Sequence, residues 1–243
     1  MSDNAADEGP PEYDASGAEA RTGPVITPSL ILKAYSVGLF PMAESADDPE
    51  LMWIDPDIRG VIPLDDGFHV PRSLAKALRK TTLTFTIDLA FDAVMAGCAA
   101  PAPGRRSTWI NRPIRNLYHE LHVQGHAHSI ECWQHGRDRP ELVGGIYGIK
   151  LGAAFFGESM FARRTNASKM CLVRLVETLR AGGFRLFDAQ FVTEHLCQFG
   201  AREMPRADYR ALLTECLDCP GVWPSAGTLP RPGIAASPGT PSD

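Results

Sequence analysis

The 243-residue sequence contains no apolar run near the roughly 20 residues needed to span a bilayer, and it has no excess of positive charge, since its net charge is −5. Its acidic N-terminus lacks the basic and then apolar pattern of a signal peptide. These absences argue against a membrane-spanning protein and against wholesale coating of nucleic acid. They leave room for a local basic patch, because the field near a site depends on arrangement. We therefore expect a cytoplasmic protein.

Metal-binding and cofactor motifs are also missing. Of six cysteines, only Cys216 and Cys219 form a CxxC pair, and no second pair completes a zinc site. Free thiols in a reducing compartment are typical of this pattern. The sequence has no P-loop, Rossmann fingerprint, serine nucleophile elbow or zinc-binding helix. We therefore expect no bound metal.

Composition divides the chain into two tails and a folded core. Residues 1–24 are acidic and polar, and residues 224–243 are dominated by Pro, Gly and Ser. Neither segment can bury enough apolar surface to offset the entropy lost on ordering. We predict two disordered tails, a small N-terminal domain at 25–66 and a larger domain at 67–223.

The larger domain combines helices with extended segments. Three extended segments precede residue 162, and Gly144, Gly145 and Gly148 predict a bulge and tight turns among them. The segment from 151 to 190 has the pattern strand, helix, strand, which is typical of a parallel crossover. The sequence therefore predicts an α+β (α/β-like) fold with a mixed sheet.

One strand carries two polar residues in an apolar context. Asp188 and Gln190 in "FRLFDAQ" are two residues apart, so an extended backbone places them on one face. Burying them without partners would be costly, so partners are expected. The pair either holds the next loop by hydrogen bonds or forms a polar centre in an apolar pocket, where a carboxylate orients and accepts protons.

Glu158 in "GESMF" is a second candidate. A glutamate at the end of a strand is more often a solvated or cap-bonding group. If its strand runs near that of Asp188, however, the two acids converge on one apolar site. Such a site suits recognition of a cationic group.

The turn after Glu158 is basic but contains no glycine. Arg163, Arg164 and Lys169 flank a predicted helix N-terminus, whose free N–H groups favour anions. Close approach of a backbone to pyrophosphate usually requires glycine, and none occurs between Gly157 and Gly182. The turn therefore weakens a coenzyme A interpretation.

A predicted helix presents four basic residues on one face, namely Arg72, Lys76, Arg79 and Lys80, spaced i, i+4, i+7, i+8. This face is either a solvated helix surface or a phosphate-binding surface.

Two tryptophans lie in non-helical stretches next to arginines. Trp53 is near Arg59, and Trp109 is near Arg105 and Arg106. Both tryptophans are either core residues or platforms for stacking single-stranded bases.

Together, nine segments in order resemble the leucyl/phenylalanyl-tRNA–protein transferase family over roughly residues 26–215. They are YSVGLFP at 35–41, WIDPDIRGVIPL at 53–64, TWI at 108–110, HVQGHAHSIECW at 122–133, LVGGIYG at 142–148, GESMF at 157–161, NASK at 166–169, FDAQ at 187–190 and GAREMPR at 200–206. The resemblance departs in the N-terminal region, where Met42 and Met52 stand at positions that are aromatic in many members.

The resemblance implies a small N-terminal domain followed by an aminoacyl transferase domain with a fold like that of the GCN5-related N-acetyltransferases (GNAT-like). It implies transfer of leucine or phenylalanine from tRNA to the N-terminal Arg or Lys of acceptor proteins, which marks them for degradation by the N-end rule. The donor is an aminoacyl ester on tRNA, so no cofactor is expected. Asp188 and Gln190 are then the catalytic pair: Asp188 polarises Gln190, which helps to remove a proton from the acceptor's α-amine, and a route in which tRNA hydroxyls take part stays open. Glu158 receives the acceptor's cationic N-terminus or side chain.

The same resemblance assigns the tRNA contacts. Trp53 and Trp109 stack on the terminal adenosine, and the basic helix face binds the acceptor stem. An apolar pocket for the aminoacyl side chain is expected from Ile146, Phe155, Met160, Leu175 and Leu179. Two alternatives stay open: a coenzyme A-dependent N-acetyltransferase of the same fold, and an adaptor that binds tRNA or basic N-termini without transfer.

Overall fold

The computed structural model describes most of the chain, namely residues 26–43, 51–101, 108–136 and 139–232. The predicted tail at 1–24, the residues after 232, and Arg105 and Arg106 lie outside these ranges.

Seven helices and ten strands are found in the described residues. The helices are α1 Pro28–Ser36, α2 Arg72–Lys80, α3 Phe91–Ala99, α4 Arg112–Val123, α5 Ala167–Ala181, α6 Glu194–Cys197 and α7 Arg206–Leu217. The strands are β1 Phe40–Met42, β2 Met52–Ile54, β3 Ile58–Val61, β4 Thr84–Ile87, β5 Ala127–His135, β6 Pro140–Leu151, β7 Ala154–Ala162, β8 Leu186–Gln190, β9 Arg202–Pro205 and β10 Gly227–Thr228. Among the described helices, none is long and apolar enough to cross a membrane.

Eight strands form one sheet in the order β10-β4-β5-β6-β7-β8-β3-β9. Neighbouring strands are antiparallel except β7 and β8, which run parallel. Helix α5 connects these two strands, because parallel neighbours need a crossover of a dozen or more residues. The crossover predicted for 151–190 is therefore present, and the mixed sheet confirms the predicted fold class.

Two apolar clusters cover the two faces of the sheet. Residues of α1, α3, α4 and α7 contribute to one cluster, and residues of α2, α5 and α6 contribute to the other. Adjacent residues Phe156 and Phe155 of β7 belong to different clusters, as expected from alternating side chains. The sheet thus lies between two helical layers.

A β-bulge interrupts the pairing of β6 with β7. Gly148 pairs with Gly157, whereas Tyr147 pairs with Ser159, so Glu158 is an extra residue in β7. Bulges of this kind re-aim side chains and are over-represented next to active sites. Glu158 is therefore the residue of β7 whose side-chain direction the bulge changes.

The predicted bulge is found beside two of the three glycines. Gly148 borders the β6–β7 bulge, and Gly144 borders a second register shift, between β5 and β6, where Val143 is the extra residue. Gly144 and Gly145 lie inside β6 and form no turn. A Cβ at Gly144 would come within 2.6 Å of the Ala167 Cβ, and one at Gly145 would come within 2.8 Å of Val94 Cγ2. These glycines therefore allow helices α5 and α3 to approach β6 closely.

Two predicted domain boundaries differ from the sheet organisation. β3 lies within the predicted N-terminal unit at 25–66 but pairs with β8 and β9 of the large sheet. The predicted disordered tail at 224–243 is wrong for residues up to 232, because β10 pairs with β4 and Leu229 N–H donates to Phe85 O at 2.8 Å. The edge of β4 opposite β5 provides hydrogen bonds for β10, which composition alone does not reveal.

Candidate active site

A cavity of about 360 Å³ opens beside the bulge, lined by residues of β1, β6, β7, β8 and the segment after β8. Its walls are mainly apolar, and include Phe40, Met42, Ile146, Met160, Leu172 and Phe187. Glu158, Ser159, Gln190 and Thr193 supply its polar side chains. Among the described lining residues, Glu158 is the one ionisable side chain. An apolar cavity with few polar groups is typical of a small-molecule or catalytic site.

Two tyrosines hold the Glu158 carboxylate. Tyr35 of α1 donates its hydroxyl to Glu158 Oε1 at 2.5 Å, and Tyr118 of α4 donates to Oε2 at 3.1 Å. The two tyrosine hydroxyl oxygens lie 2.7 Å apart. Both rings are fully buried, because α1 and α4 pack on the same face of the sheet. The carboxylate is thus fixed by neutral donors.

Burial raises the pKa of Glu158 to about 7, against the lowering effect of the two tyrosine hydrogen bonds. Asp188 raises this pKa further and Arg59 lowers it, both through charge. Burial and the charge of Glu158 raise the pKa of Tyr35 and of Tyr118 well above the usual value, so both tyrosines stay protonated donors. A carboxyl group with a pKa near neutrality is typical of acid–base sites.

Asp188 has a different environment. Its oxygens accept hydrogen bonds from Arg59 Nε at 2.9 Å, Arg59 Nη2 at 2.6 Å, Tyr209 Oη at 2.8 Å and the Gln190 backbone N–H at 2.8 Å. Asp188 is 0% exposed and Arg59 is 1% exposed. Asp188 does not line the described cavity. This carboxylate is therefore a buried, fully hydrogen-bonded anchor.

Arg59 links that anchor to the wall of the cavity. Its Nη1 donates to Gly38 O at 2.8 Å, and its guanidinium lies 4.7 Å from the ring centroid of Phe40, a lining residue, and 4.5 Å from that of Tyr209. Burial lowers the pKa of Arg59, but the hydrogen bond and charge of Asp188 outweigh burial and raise it. The buried pair therefore positions the N-terminal segment against β8.

Gln190 has a left-handed backbone with φ of 58°, stabilised by the hydrogen bond from its N–H to Asp188. Its side chain lines the cavity, and its Nε2 is buried without a hydrogen-bond partner in the described residues. The expectation that Asp188 and Gln190 point together into one polar centre is therefore corrected. The left-handed backbone at Gln190 ends the alternation of side chains along β8, so Gln190 and Asp188 do not share a face. Asp188 instead accepts a hydrogen bond from the Gln190 backbone N–H.

The predicted tryptophans separate. Trp109 lines the cavity, whereas Trp53 lies on β2, is 37% exposed and pairs with Pro41. Arg59, which the sequence places beside Trp53, turns inward to Asp188. The buried Asp188 carboxylate, 129 positions away in the sequence, pairs with Arg59 in place of the exposed indole ring of Trp53.

The predicted aminoacyl pocket is present in part. Ile146 and Met160 line the cavity. Phe155, Leu175 and Leu179 instead belong to the packed core, each at most 1% exposed. Phe155 stacks on the indole of Trp223 with centroids 5.4 Å apart, and the two leucines lie one and two turns further along α5 than Leu172, which does line the cavity.

The basic helix face is exposed as both interpretations require. The four basic residues of α2 are all exposed, while Leu74 and Leu78 are buried beneath them.

The basic turn after β7 is already engaged with the protein. Arg163 Nη1 donates to Leu142 O at 3.1 Å, Lys169 Nζ donates to Gln198 Oε1 at 3.0 Å, and Arg164 bonds to Gln134. These contacts do not assemble an anion cradle. In the part of the chain that the structure describes, no group of three or more His, Cys, Asp or Glu residues is placed to hold a metal ion.

Sequence reasoning missed four residues of these clusters: Tyr35, Tyr118 and Tyr209 as donors, and Arg59 as the partner of Asp188. Tyr118 offered a signal, since it shares the apolar stripe of α4 with Ile114, Leu117 and Leu121. A tyrosine on an inward stripe needs a buried hydrogen-bond partner. The pattern does not say that the partner is Glu158.

Comparison with known proteins shows the family of this chain. A family model described as "Leucyl/phenylalanyl-tRNA protein transferase" matches residues 61–214, and a model of that family's N-terminal domain matches residues 25–57. The leucyl/phenylalanyl-tRNA–protein transferase of Nitrobacter winogradskyi is 58% identical over 193 residues, covering 79% of this chain and 84% of the relative. That of Rhodopseudomonas palustris is 56% identical with the same coverage.

The crystal structure of FemX matches with a TM-score of 0.50 at 10% identity, covering 67% of this chain and 62% of FemX. This likeness supports the fold alone. The two family models together span most of the chain, and the bacterial relatives are more than half identical to it. The chain therefore belongs to the leucyl/phenylalanyl-tRNA–protein transferase family of aminoacyltransferases.

Proposed function

We propose that this protein transfers leucine or phenylalanine from tRNA to the N-terminal Arg or Lys of acceptor proteins, so marking them for degradation by the N-end rule. The observation that carries this proposal is a mainly apolar cavity with one carboxylate, Glu158, among its described lining residues. Apolar walls suit a leucyl or phenylalanyl side chain, and a carboxylate suits a cationic acceptor.

The donor binds through the apolar part of the cavity. Ile146, Met160, Leu172 and Phe187 contact the aminoacyl side chain, and Trp109 stacks on the terminal adenosine. Shape in such a pocket discriminates by about 1–3 kcal/mol per methylene, which is consistent with two accepted amino acids. The reaction needs no resident cofactor, because the aminoacyl ester is already activated.

Outside the cavity, the exposed basic face of α2 binds the phosphates of the tRNA acceptor stem. Trp53, exposed on β2, adds a contact to the tRNA side of the N-terminal segment.

The acceptor binds through Glu158. The carboxylate attracts an α-ammonium, lysyl or guanidinium group, and its half-buried position in the cavity wall strengthens that attraction relative to water. Ionised Glu158 is required for this ion pair. Transfer is therefore expected to fall as pH drops through about 7, the value to which burial raises the pKa of Glu158.

Gln190 contacts the reacting groups, and Asp188 acts as a positioning residue through the Gln190 backbone. The carboxamide has one acceptor and two donor hydrogens, so it can orient both the amine and the ester. Well-oriented reactants gain roughly 7–11 kcal/mol over a bimolecular encounter. Orientation is thus the main contribution expected from this pair.

Incubation with labelled Leu-tRNA and a peptide that begins with Arg tests the proposal. We expect label in the Arg and Lys peptides and little in a matched Ala peptide. Label bound through tRNA but absent from every peptide would favour an adaptor. Thermal stabilisation by acetyl-CoA, without stabilisation by aminoacyl-tRNA, would favour an acetyltransferase.

A further inference from the structure

We propose that Glu158 is the group that removes the proton from the acceptor's α-ammonium and so generates the attacking amine. This inference rests on the proposed function and deepens it, because it assigns a proton transfer to a residue so far considered only for binding.

Asp188 is unsuited to this task. Five hydrogen bonds from Arg59, Tyr209 and Gln190 occupy both of its oxygens, and its side chain is fully buried outside the cavity lining. A proton placed on Asp188 would break the pair with a buried guanidinium. If Asp188 took a proton from the substrate, it would lose its ion pair with Arg59, which positions the N-terminal segment against β8.

Gln190 is also unsuited as the final holder of the proton. Its side chain faces the cavity, but a carboxamide accepts a hydrogen bond without taking up a proton in neutral water. The Gln190 oxygen can direct one amine hydrogen. Among the described lining residues, Glu158 is then the group that can hold a proton.

Glu158 has the geometry for the transfer. The bulge places it at the cavity as an extra residue in β7, and Tyr35 and Tyr118 fix its two oxygens from behind. The charged groups that act on it are Asp188 of the neighbouring β8, which raises its pKa, and Arg59 of β3, the strand beyond β8, which lowers it.

The proton affinities of donor and acceptor are matched. Burial raises the pKa of Glu158 to about 7, and an α-ammonium has a pKa of about 7.7–8.0. A carboxylate with an ordinary pKa would hold the ammonium as an ion pair without deprotonating it. The raised pKa makes transfer nearly balanced, which is the condition for efficient general-base catalysis.

Protons and bonds balance in the resulting step. One ammonium proton passes to Glu158 and later to solvent. The amine lone pair then attacks the ester carbonyl carbon, and the carbon–oxygen bond to the tRNA ribose breaks. A second nitrogen proton moves to the departing ribose oxygen, leaving a neutral amide and a free hydroxyl.

Single-turnover transfer from Leu-tRNA to a saturating Arg-started peptide, measured for wild type and Glu158→Gln from pH 6 to 9, tests the inference. Glutamine keeps the size of Glu158; its one carboxamide oxygen accepts from one tyrosine, and its Nε2 donates to the hydroxyl oxygen of the other. We expect a loss of about 100-fold at pH 6.5. The loss should shrink to less than about tenfold at pH 9, where an α-amine with a pKa of about 7.7–8.0 is already neutral.

A loss that is equal at both pH values, or larger at pH 9, would overturn the inference, because a carboxylate that only binds the guanidinium is more fully ionised at pH 9 and contributes at least as much there. Tyr35→Phe gives a second test that does not depend on the folding of Glu158→Gln. Removing a donor that favours ionised Glu158 should move the wild-type pH midpoint upward, and an unchanged midpoint would contradict a proton-accepting role.

The proposed function fails separately. Wild-type protein that transfers no leucine at any pH would refute the proposed function. Wild-type transfer combined with a pH-independent Glu158→Gln defect would refute the inference alone.

Discussion

Two carboxylates from neighbouring strands of one sheet have opposite environments. Asp188 on β8 is paired with a buried guanidinium and holds a backbone turn, whereas Glu158 on β7 has two neutral tyrosine donors and faces a cavity. Asp188 is fully buried and Glu158 is half-buried, and the charge of their hydrogen-bond partners distinguishes them further. A cationic partner fixes Asp188 in its charged form, and the neutral partners leave Glu158 able to exchange a proton near pH 7.

The largest difference should appear when the cation is removed. Arg59→Leu leaves Asp188 buried without its charge partner, and we expect a loss of about 3–5 kcal/mol in the free energy of unfolding. Chemical denaturation measures this loss. Arg202→Ala, which breaks an exposed 3.6 Å pair with Asp65, is the matched control and should cost less than about 1 kcal/mol. Equal losses in the two variants would contradict the anchor role.

For Glu158, removing the charge should stabilise the protein instead of destabilising it. Its folded pKa of about 7 is above the ordinary value of 4.5, so the folded state binds more protons and its stability falls as pH rises through that interval. Glu158→Gln removes this dependence. We expect it to stabilise the protein by about 1–3 kcal/mol at pH 8 and by little at pH 4.5. Destabilisation at pH 8 would mean that the carboxylate is well solvated or paired.

The smallest expected effects come from removing one hydroxyl beside each acid. Tyr209→Phe deletes a donor to Asp188 and should cost about 1–2 kcal/mol without moving the pH midpoint of transfer. Tyr118→Phe deletes the longer, 3.1 Å donor to Glu158 and should move that midpoint upward by less than Tyr35→Phe does. Denaturation and pH–rate profiles on all three variants separate the two clusters. Identical pH midpoints of transfer in all three variants would contradict the claim that only the Glu158 cluster exchanges a proton near pH 7.

Local patterns in the sequence predicted much of the fold. The crossover from β7 through α5 to β8 and the amphipathic helix α4 follow from spacings within a few residues. The edge strand β10 was missed because its pairing partner lies far along the chain and its Pro- and Gly-rich composition hides it.

The candidate site was less predictable for the same reason. The sequence singled out Asp188, Gln190 and Glu158, but Tyr35 reaches Glu158 across 123 positions and Arg59 reaches Asp188 across 129. No local spacing encodes such pairs. The bulge at Glu158 depends on the register between β6 and β7. Glycines in the sequence indicate that a bulge is present, but they do not determine which residue it places outside the pairing.

The most direct test is a carboxyl-detected NMR titration of the protein labelled at glutamate side chains. We expect one signal with a midpoint near pH 7 that is missing from Glu158→Gln, as the raised pKa of Glu158 requires. A Glu158 signal that titrates with a midpoint below about 5, within the ordinary range for glutamate, would contradict the claim that Glu158 is the proton-exchanging acid of this site.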